Sequence, residues 1–116
     1  LVCLSFADGG AALAAARASD PAIVLLDVDM PVLDGNEVCR RLRADVRFST
    51  VPIVIVTGHQ DSAAVRRAFE AGATDFISKP VNWALLPHRL GDILRNAAAG
   101  EDIERVALSY RLFSHL

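Results

Sequence analysis

The chain has 116 residues, of which 53% are hydrophobic, and carries a formal net charge of −2 at pH 7. This length fits one domain with a real core, and the weak negative charge gives no reason to expect a nucleic-acid or membrane surface. No apolar stretch approaches membrane-spanning length. Two cysteines, Cys3 and Cys39, are too few for a disulfide framework, and their apolar neighbours predict buried thiols in a reducing compartment.

The first predicted strand covers residues 1–7 and ends at the Asp8-Gly9-Gly10 turn. Its apolar start is too short for a signal peptide, and the missing initiator Met predicts that the chain is a fragment. A short helix of strong helix formers follows from Ala11 to Ala18. Ser19-Asp20-Pro21 then breaks this helix.

The second predicted strand is the aliphatic run 23–26, which ends in Asp27. Such a run predicts a buried parallel strand that delivers one acid to the carboxyl edge of a sheet. Open α/β sheets bind their ligands at that edge, which makes Asp27 the first candidate site residue. The loop that follows contains Met30-Pro31 and Asp34-Gly35, and the second of these pairs favours a tight turn.

A helix from about Asn36 to Ala44 leads to the third predicted strand, Ile53 to Val56, which ends in Thr57. The arginines of this helix are predicted to point outward: Arg40, Arg41 and Arg43. A further helix from about Ser62 to Ala71 stops at Gly72, a residue suited to a left-handed cap.

The fourth predicted strand, 74–78, precedes Lys79-Pro80. The last helix begins near Asn82, a plausible N-cap, but Pro87 would remove one backbone bond and predicts a kink or a late start. Strands that alternate with helices favour a parallel sheet covered on both faces.

The tail after about residue 98 does not fit this compact unit. Its apolar residues recur at spacings of three and four, which predicts an amphipathic helix: Ile103, Val106, Tyr110 and Phe113. The chain is therefore predicted to consist of one domain, residues 1–97, and a C-terminal helical extension or linker, residues 98–116.

Three predicted strands thus end in reactive polar groups: the carboxylate of Asp27, the hydroxyl of Thr57 and the ammonium of Lys79. An acid, a hydroxyl and a cation on neighbouring strand ends are suited to holding a phosphoryl group. Asp27 with Met30-Pro31 and Asp34-Gly35, the strand that ends in Thr57, and Ser78-Lys79-Pro80 together resemble the receiver domain of two-component response regulators. The separations between these motifs also fit that family.

The resemblance implies a flavodoxin-like, doubly wound parallel sheet and a role for each residue. Asp27 would accept the phosphoryl group, Lys79 would pair with a phosphate oxygen, and Thr57 would donate a hydrogen bond to another. Mg²⁺ would be held by Asp27 and by the backbone carbonyl of Asp29. Phe76 occupies the position of the family's aromatic switch residue, although it is also well suited to the core. His59 is more typical of a surface histidine than of a proton donor.

The chain departs from the family at its start, because the first strand and the first helix of a receiver are not found. The acidic pair that follows that strand and binds Mg²⁺ is missing as well, so the metal site is expected to be incomplete. The missing strand would lie beside the Asp27 strand, and a bare strand edge recruits partners. Loss of a neighbouring helix would expose part of the last helix, which predicts a homodimer: Leu86, Leu90, Ile93 and Leu94.

The implied function is a phosphoacceptor domain in the cytoplasm that receives its phosphoryl group from a histidine kinase or a phosphotransfer protein. It would not itself be an enzyme that turns over a substrate, and it would bind no nucleic acid or membrane. One alternative is a haloacid-dehalogenase-like phosphatase, because Asp27-Val28-Asp29 fits that family's Asp-x-Asp nucleophile pattern. The chain is short for that fold, and no acidic pair follows Lys79 on another strand. A degenerate receiver that acts only as a protein-interaction module is the other alternative.

Overall fold

The computed structural model describes residues 8–29, 32–58, 61–97 and 112–113. The predicted strand 1–7, Met30-Pro31 and His59 lie outside the described residues. The helices are α1 (Gly9–Ser19), α2 (Gly35–Arg43), α3 (Ser62–Glu70) and α4 (Leu86–Ala97), with a 3-10 turn at Val46–Phe48. The strands are β1 (Val24–Asp27), β2 (Ile53–Thr57), β3 (Asp75–Ser78) and β4 (Leu112–Phe113). None of the helices in the described ranges is long and apolar enough to cross a bilayer.

The strands form one parallel sheet in the order β3-β2-β1-β4. Val24 pairs with Ile53 on β2 and with Leu112 on β4. The predicted helical extension therefore differs at its end, where Leu112–Phe113 is a strand. An open strand edge presents unpaired backbone groups, and parallel pairing with β1 satisfies them where a helix could not. The remainder of that extension lies outside the described residues.

The two faces of the sheet carry separate apolar clusters because successive side chains of a strand point to opposite faces. On one face, Val24 and Leu26 pack with residues of α1, α2 and α3. On the other face, Ile23 and Leu25 pack with α4. The predicted cover on both faces is confirmed.

Helix α4 begins at Leu86, so the late start predicted from Pro87 is confirmed. The expectation of an exposed apolar helix face was wrong, because four side chains are buried against the sheet: Leu86, Leu90, Ile93 and Leu94. They pack on Val54 and Val56 of β2. This removes one of the two grounds for the predicted homodimer, the exposed helix face, and the homodimer itself stays a prediction.

Three of the helices begin at an aspartate whose side chain accepts a hydrogen bond from a backbone N–H in the first turn. Asp8 accepts from Ala11 at 2.7 Å, and Asp61 accepts from Ala64 at 2.7 Å. Asp34 accepts from Glu37 at 2.8 Å, so it caps α2. Such caps satisfy donors that the helix itself leaves free.

The sequence predicted that Arg43 points outward together with Arg40 and Arg41. In the structure Arg43 does not point outward. Its guanidinium folds back to the amino ends of β2 and β3, where it donates to the carbonyl oxygens of Gly72 and Val51 at 2.8 and 2.7 Å. The last turn of α2 lies directly beside these carbonyls, and an arginine is long enough to reach them. Arg43 is thus a structural residue of the fold.

Candidate functional site

The carboxyl edge of the sheet brings together the three predicted site residues. Asp27 at the end of β1 pairs with Val56, the residue before Thr57. Thr57 at the end of β2 pairs with Ser78, the residue before Lys79. The backbone continues this register, because Lys79 N donates to Thr57 O at 2.8 Å. Parallel pairing therefore places the acid, the hydroxyl and the ammonium on three adjacent strand ends.

Asp27 is 4% exposed and makes a direct contact with Lys79. Its Oδ2 accepts from Lys79 Nζ at 2.7 Å, and its Oδ1 accepts from the backbone N–H of Asp29 at 2.9 Å. A buried carboxylate needs such partners, since burial of an unpaired charge is costly. Lys79 keeps 31% of its side chain exposed, so this cation can reach both the buried carboxylate and an arriving anion.

Thr57 is also 4% exposed, and it lines a cleft of about 470 Å³ together with Asp29. The Asp29 side chain is 54% exposed and lies 3.9 Å from Lys79 Nζ. The carboxyl edge therefore combines a buried acid and a buried hydroxyl with an exposed acid at its rim.

The residues present supply an incomplete magnesium site. Mg²⁺ requires octahedral oxygen ligands, for which the predicted donors are the Asp27 carboxylate and the Asp29 carbonyl. Within the described ranges, no group of three or more His, Cys, Asp and Glu side chains could hold a metal ion. Both Asp27 oxygens already accept hydrogen bonds. The described residues alone do not fit a complete Mg²⁺ site.

Phe76 on β3 lies at the border of the core. It packs against the α1–α3 face of the sheet and meets the Phe69 ring edge-on, with the centroids 6.2 Å apart and the planes at 89°. Phe76 is half-buried, and Phe69 is 45% exposed. The ring pair therefore lies at the surface of α3 rather than in the centre of the core.

Gly35 lies against the end of β1, a contact that the sequence did not reveal. A Cβ atom at Gly35 would lie 2.6 Å from the backbone oxygen of Asp27. The Gly35 N–H donates to Val28 O at 3.3 Å, so the first residue of α2 touches the end of β1. The Asp-Gly pair, interpreted from the sequence as a turn, is an N-cap followed by a close backbone contact. Sequence analysis also missed Asn36, Arg40 and Arg67 as lining residues of the cleft.

Comparison with known proteins gives a consistent result. The family model of the response regulator receiver domain matches residues 1–91. Transcriptional regulatory protein CseB of Streptomyces avermitilis is 44% identical over 88 residues, which are 76% of this chain and 36% of CseB. Response regulator PleD of Caulobacter vibrioides is 39% identical over 88 residues, which are 76% of this chain and 19% of PleD. The chain thus spans well under half of these relatives.

Solved receiver structures share the fold. The chemotaxis protein CheY4 of Vibrio cholerae superposes with a TM-score of 0.71 at 30% identity, over 76% of this chain and 73% of CheY4. A second structure is the receiver domain of sensor histidine kinase PA1611 from Pseudomonas aeruginosa, which has magnesium coordinated in its active site cleft. It superposes with a TM-score of 0.65 at 31% identity, over 78% of this chain and 71% of that chain. The predicted flavodoxin-like fold is confirmed, and nothing in these similarities favours the haloacid-dehalogenase alternative.

Proposed function

Because this chain belongs to the response regulator receiver family of two-component signalling, we propose that Asp27 is its phosphoacceptor. The observation that carries the proposal is the 2.7 Å contact between Asp27 and Lys79 at the carboxyl edge of the sheet. A cation held on the acid can neutralise the charge of an incoming phosphoryl group. Thr57, on the adjacent strand end, is the proposed hydrogen-bond donor to the bound phosphate.

The donor is a phosphohistidine of a histidine kinase or of a phosphotransfer protein. A carboxylate oxygen of Asp27 attacks phosphorus, the P–N bond breaks, and the electron pair of that bond returns to the imidazole nitrogen. The product is an aspartyl phosphate. Lys79 then moves from the carboxylate to a phosphate oxygen, while Thr57 donates to another.

Two of the described residues would contribute ligands to Mg²⁺. In the receiver family the ion neutralises charge on the transferred phosphoryl group, and here Asp27 and the Asp29 carbonyl would be its ligands. Because the described residues offer an incomplete set, we expect this chain to bind Mg²⁺ weakly. A calorimetric titration with MgCl₂ should show no saturation in the low millimolar range, and saturation there would contradict this expectation.

The switch that we propose connects Thr57 with Phe76. When Thr57 turns toward the phosphate, it vacates space behind β2, and Phe76 moves into that space. The Phe69–Phe76 ring contact would be lost, which alters the surface of α3. Such a change could be read by an output region that follows residues 1–97 through the segment 98–116. We propose a cytoplasmic location for the whole protein.

The acceptor is tested by incubating the 116-residue chain with acetyl phosphate and MgCl₂, followed by intact and peptide mass spectrometry. We expect one PO₃ group on the peptide that contains Asp27, no label in Asp27→Asn, and normal labelling in the matched control Asp29→Asn. Label that persists in Asp27→Asn would refute the proposal. Continuous release of phosphate from p-nitrophenyl phosphate would support the phosphatase, and a complete lack of label would support the binding module.

A further inference from the structure

The cleft beside Thr57 has features that the proposed phosphoacceptor chemistry does not use. It lies between α2 and α3, and its volume of about 470 Å³ is enough for a small organic molecule. Apolar atoms of Val28, Ile55 and Ala64 line part of it. The other lining residues include two basic side chains and one buried amide.

The buried amide belongs to Asn36, the second residue of α2, which is 8% exposed. Its Oδ1 atom is buried and has no hydrogen-bond partner among the described residues. Burial of an acceptor without a donor is destabilising, and nearly all such atoms in native proteins are satisfied. Asn36 lines the cleft, but Oδ1 is closed off from solvent, so a ligand would reach this atom only after the terminal amide rotates about χ2. A donor on a bound molecule would supply the missing partner.

The basic side chains are Arg40 of α2 and Arg67 of α3. Arg67 is exposed and forms no ion pair with another described residue. Arg40 pairs with Glu37 at 2.5 Å, but Glu37 also accepts from Arg41 at 3.2 Å. Glu37 would therefore keep a cation if Arg40 turned toward the cleft. Two guanidinium groups on facing helices suit a phosphate or a carboxylate.

We propose that this cleft binds a small organic anion that also carries an O–H or N–H donor, such as a hydroxylated phosphate ester. Its anionic group would lie between Arg40 and Arg67, and its donor would satisfy Asn36 Oδ1. The carboxylates of Asp29 and Asp34, which also line the cleft, repel an anion and so orient the ligand. This site does not depend on the acceptor role of Asp27.

The test uses the full 116-residue chain and glycerol 3-phosphate as the probe, with binding measured by calorimetry. Inorganic phosphate and glycerol, each lacking one half of the probe, should bind at least tenfold more weakly. Asn36→Leu should weaken binding about tenfold by removing the acceptor, and should also raise the melting temperature by removing an unsatisfied polar atom. Arg67→Gln should weaken binding about tenfold as well. Its matched control is Arg66→Gln on the same helix, which should bind normally.

Equal affinity in wild type, Asn36→Leu and Arg67→Gln would overturn the proposal, and so would an absence of saturable glycerol 3-phosphate binding. Binding that is lost in Lys79→Met but kept in both cleft variants would place the anion at the phosphoacceptor edge, which also overturns it. If Asn36→Leu does not fold, the Arg67→Gln and Arg66→Gln pair decides the question without any change in the core.

Discussion

Lys79 and Arg43 bind at opposite ends of the parallel sheet, and the two cations have different roles. At the carboxyl edge, Lys79 contacts the buried carboxylate of Asp27. At the amino edge, Arg43 donates to the carbonyl oxygens of Gly72, Phe48 and Val51 and to the hydroxyl oxygen of Thr74, over distances from 2.6 to 3.1 Å.

Hydrogen-bond capacity separates the two cations. A guanidinium has five N–H donors, and four hydrogen bonds occupy Arg43. Burial lowers the pKa of Arg43, yet its partners are neutral oxygens that hold it in place. An ammonium has three donors, and the Lys79 ammonium makes one hydrogen bond to another described residue. A cation with four of its five donors engaged fixes structure, whereas one with two of its three donors spare and a charged partner can exchange ligands.

The largest loss of stability is expected when the Arg43 side chain is removed from the amino edge of the sheet. Arg43→Ala should lower the free energy of unfolding by about 2–3 kcal/mol, because several partly buried acceptors lose a charged donor. Arg43→Lys should recover only part of this loss, since an ammonium cannot span acceptors on separate loops. Urea denaturation measures both. The control is Arg41→Ala, because the exposed Arg41 side chain pairs with Glu37 alone among the described residues; this change should leave the urea midpoint unchanged.

A smaller loss of stability is expected at the carboxyl edge. Lys79→Met should lower the free energy of unfolding by about 1–2 kcal/mol, because the Asp27 carboxylate loses the Lys79 cation. The double variant Asp27→Asn/Lys79→Met should regain most of that stability, because no uncompensated charge remains. Chemical denaturation of the two single variants and of the double variant gives the coupling energy. Strict additivity of the two changes would show that the 2.7 Å contact contributes nothing to stability.

A gain in stability is expected from a substitution at Val32, in the loop that follows β1. Val32 has φ of 71° and is 82% exposed, so a β-branched residue there adopts a left-handed conformation without compensating burial. Val32→Gly should therefore stabilise the chain by about 1 kcal/mol, measured as a shift in the urea midpoint. Val32→Ala, which keeps a Cβ atom, should give a much smaller gain. A loss of stability in Val32→Gly would mean that the valine side chain makes a contact worth more than the strain.

The smallest effect concerns Cys39, which lies on α2 between the two ends of the sheet. Burial raises the pKa of its thiol to about 11 from 9.0. In a Cys3→Ser background, a disulfide reagent at pH 8 should therefore react about a hundredfold more slowly with the folded chain than with the unfolded one. The folded state keeps a proton that the unfolded state loses, so the stabilisation is complete below pH 9 and fades as the pH rises through 11. Cys39→Ser should remove this pH dependence, and rapid labelling at pH 8 would show that the thiol is accessible.

Local pattern predicted most of the elements but not their boundaries. Helix α1 begins at Gly9 rather than Ala11, because the Asp8 side chain caps it, and α4 begins at Leu86, as Pro87 indicated. The prediction that Arg43 points outward was wrong because sequence spacing shows which helix face a residue occupies, not where a long side chain reaches. The tail was predicted as a helix from its periodicity, yet Leu112–Phe113 pairs with β1, since an available strand edge competes with local preference.

The sequence by itself determined which polar groups meet at the carboxyl edge, because a parallel strand that ends in a polar residue must deliver that residue to the common edge of the sheet. This rule places Asp27, Thr57 and Lys79 there. Only the tertiary structure decided what surrounds them: the contact of Gly35 with the Asp27 backbone, the unsatisfied amide of Asn36 and the carbonyl-binding Arg43. Each of these depends on distances between segments far apart in the chain, and no local pattern encodes such distances.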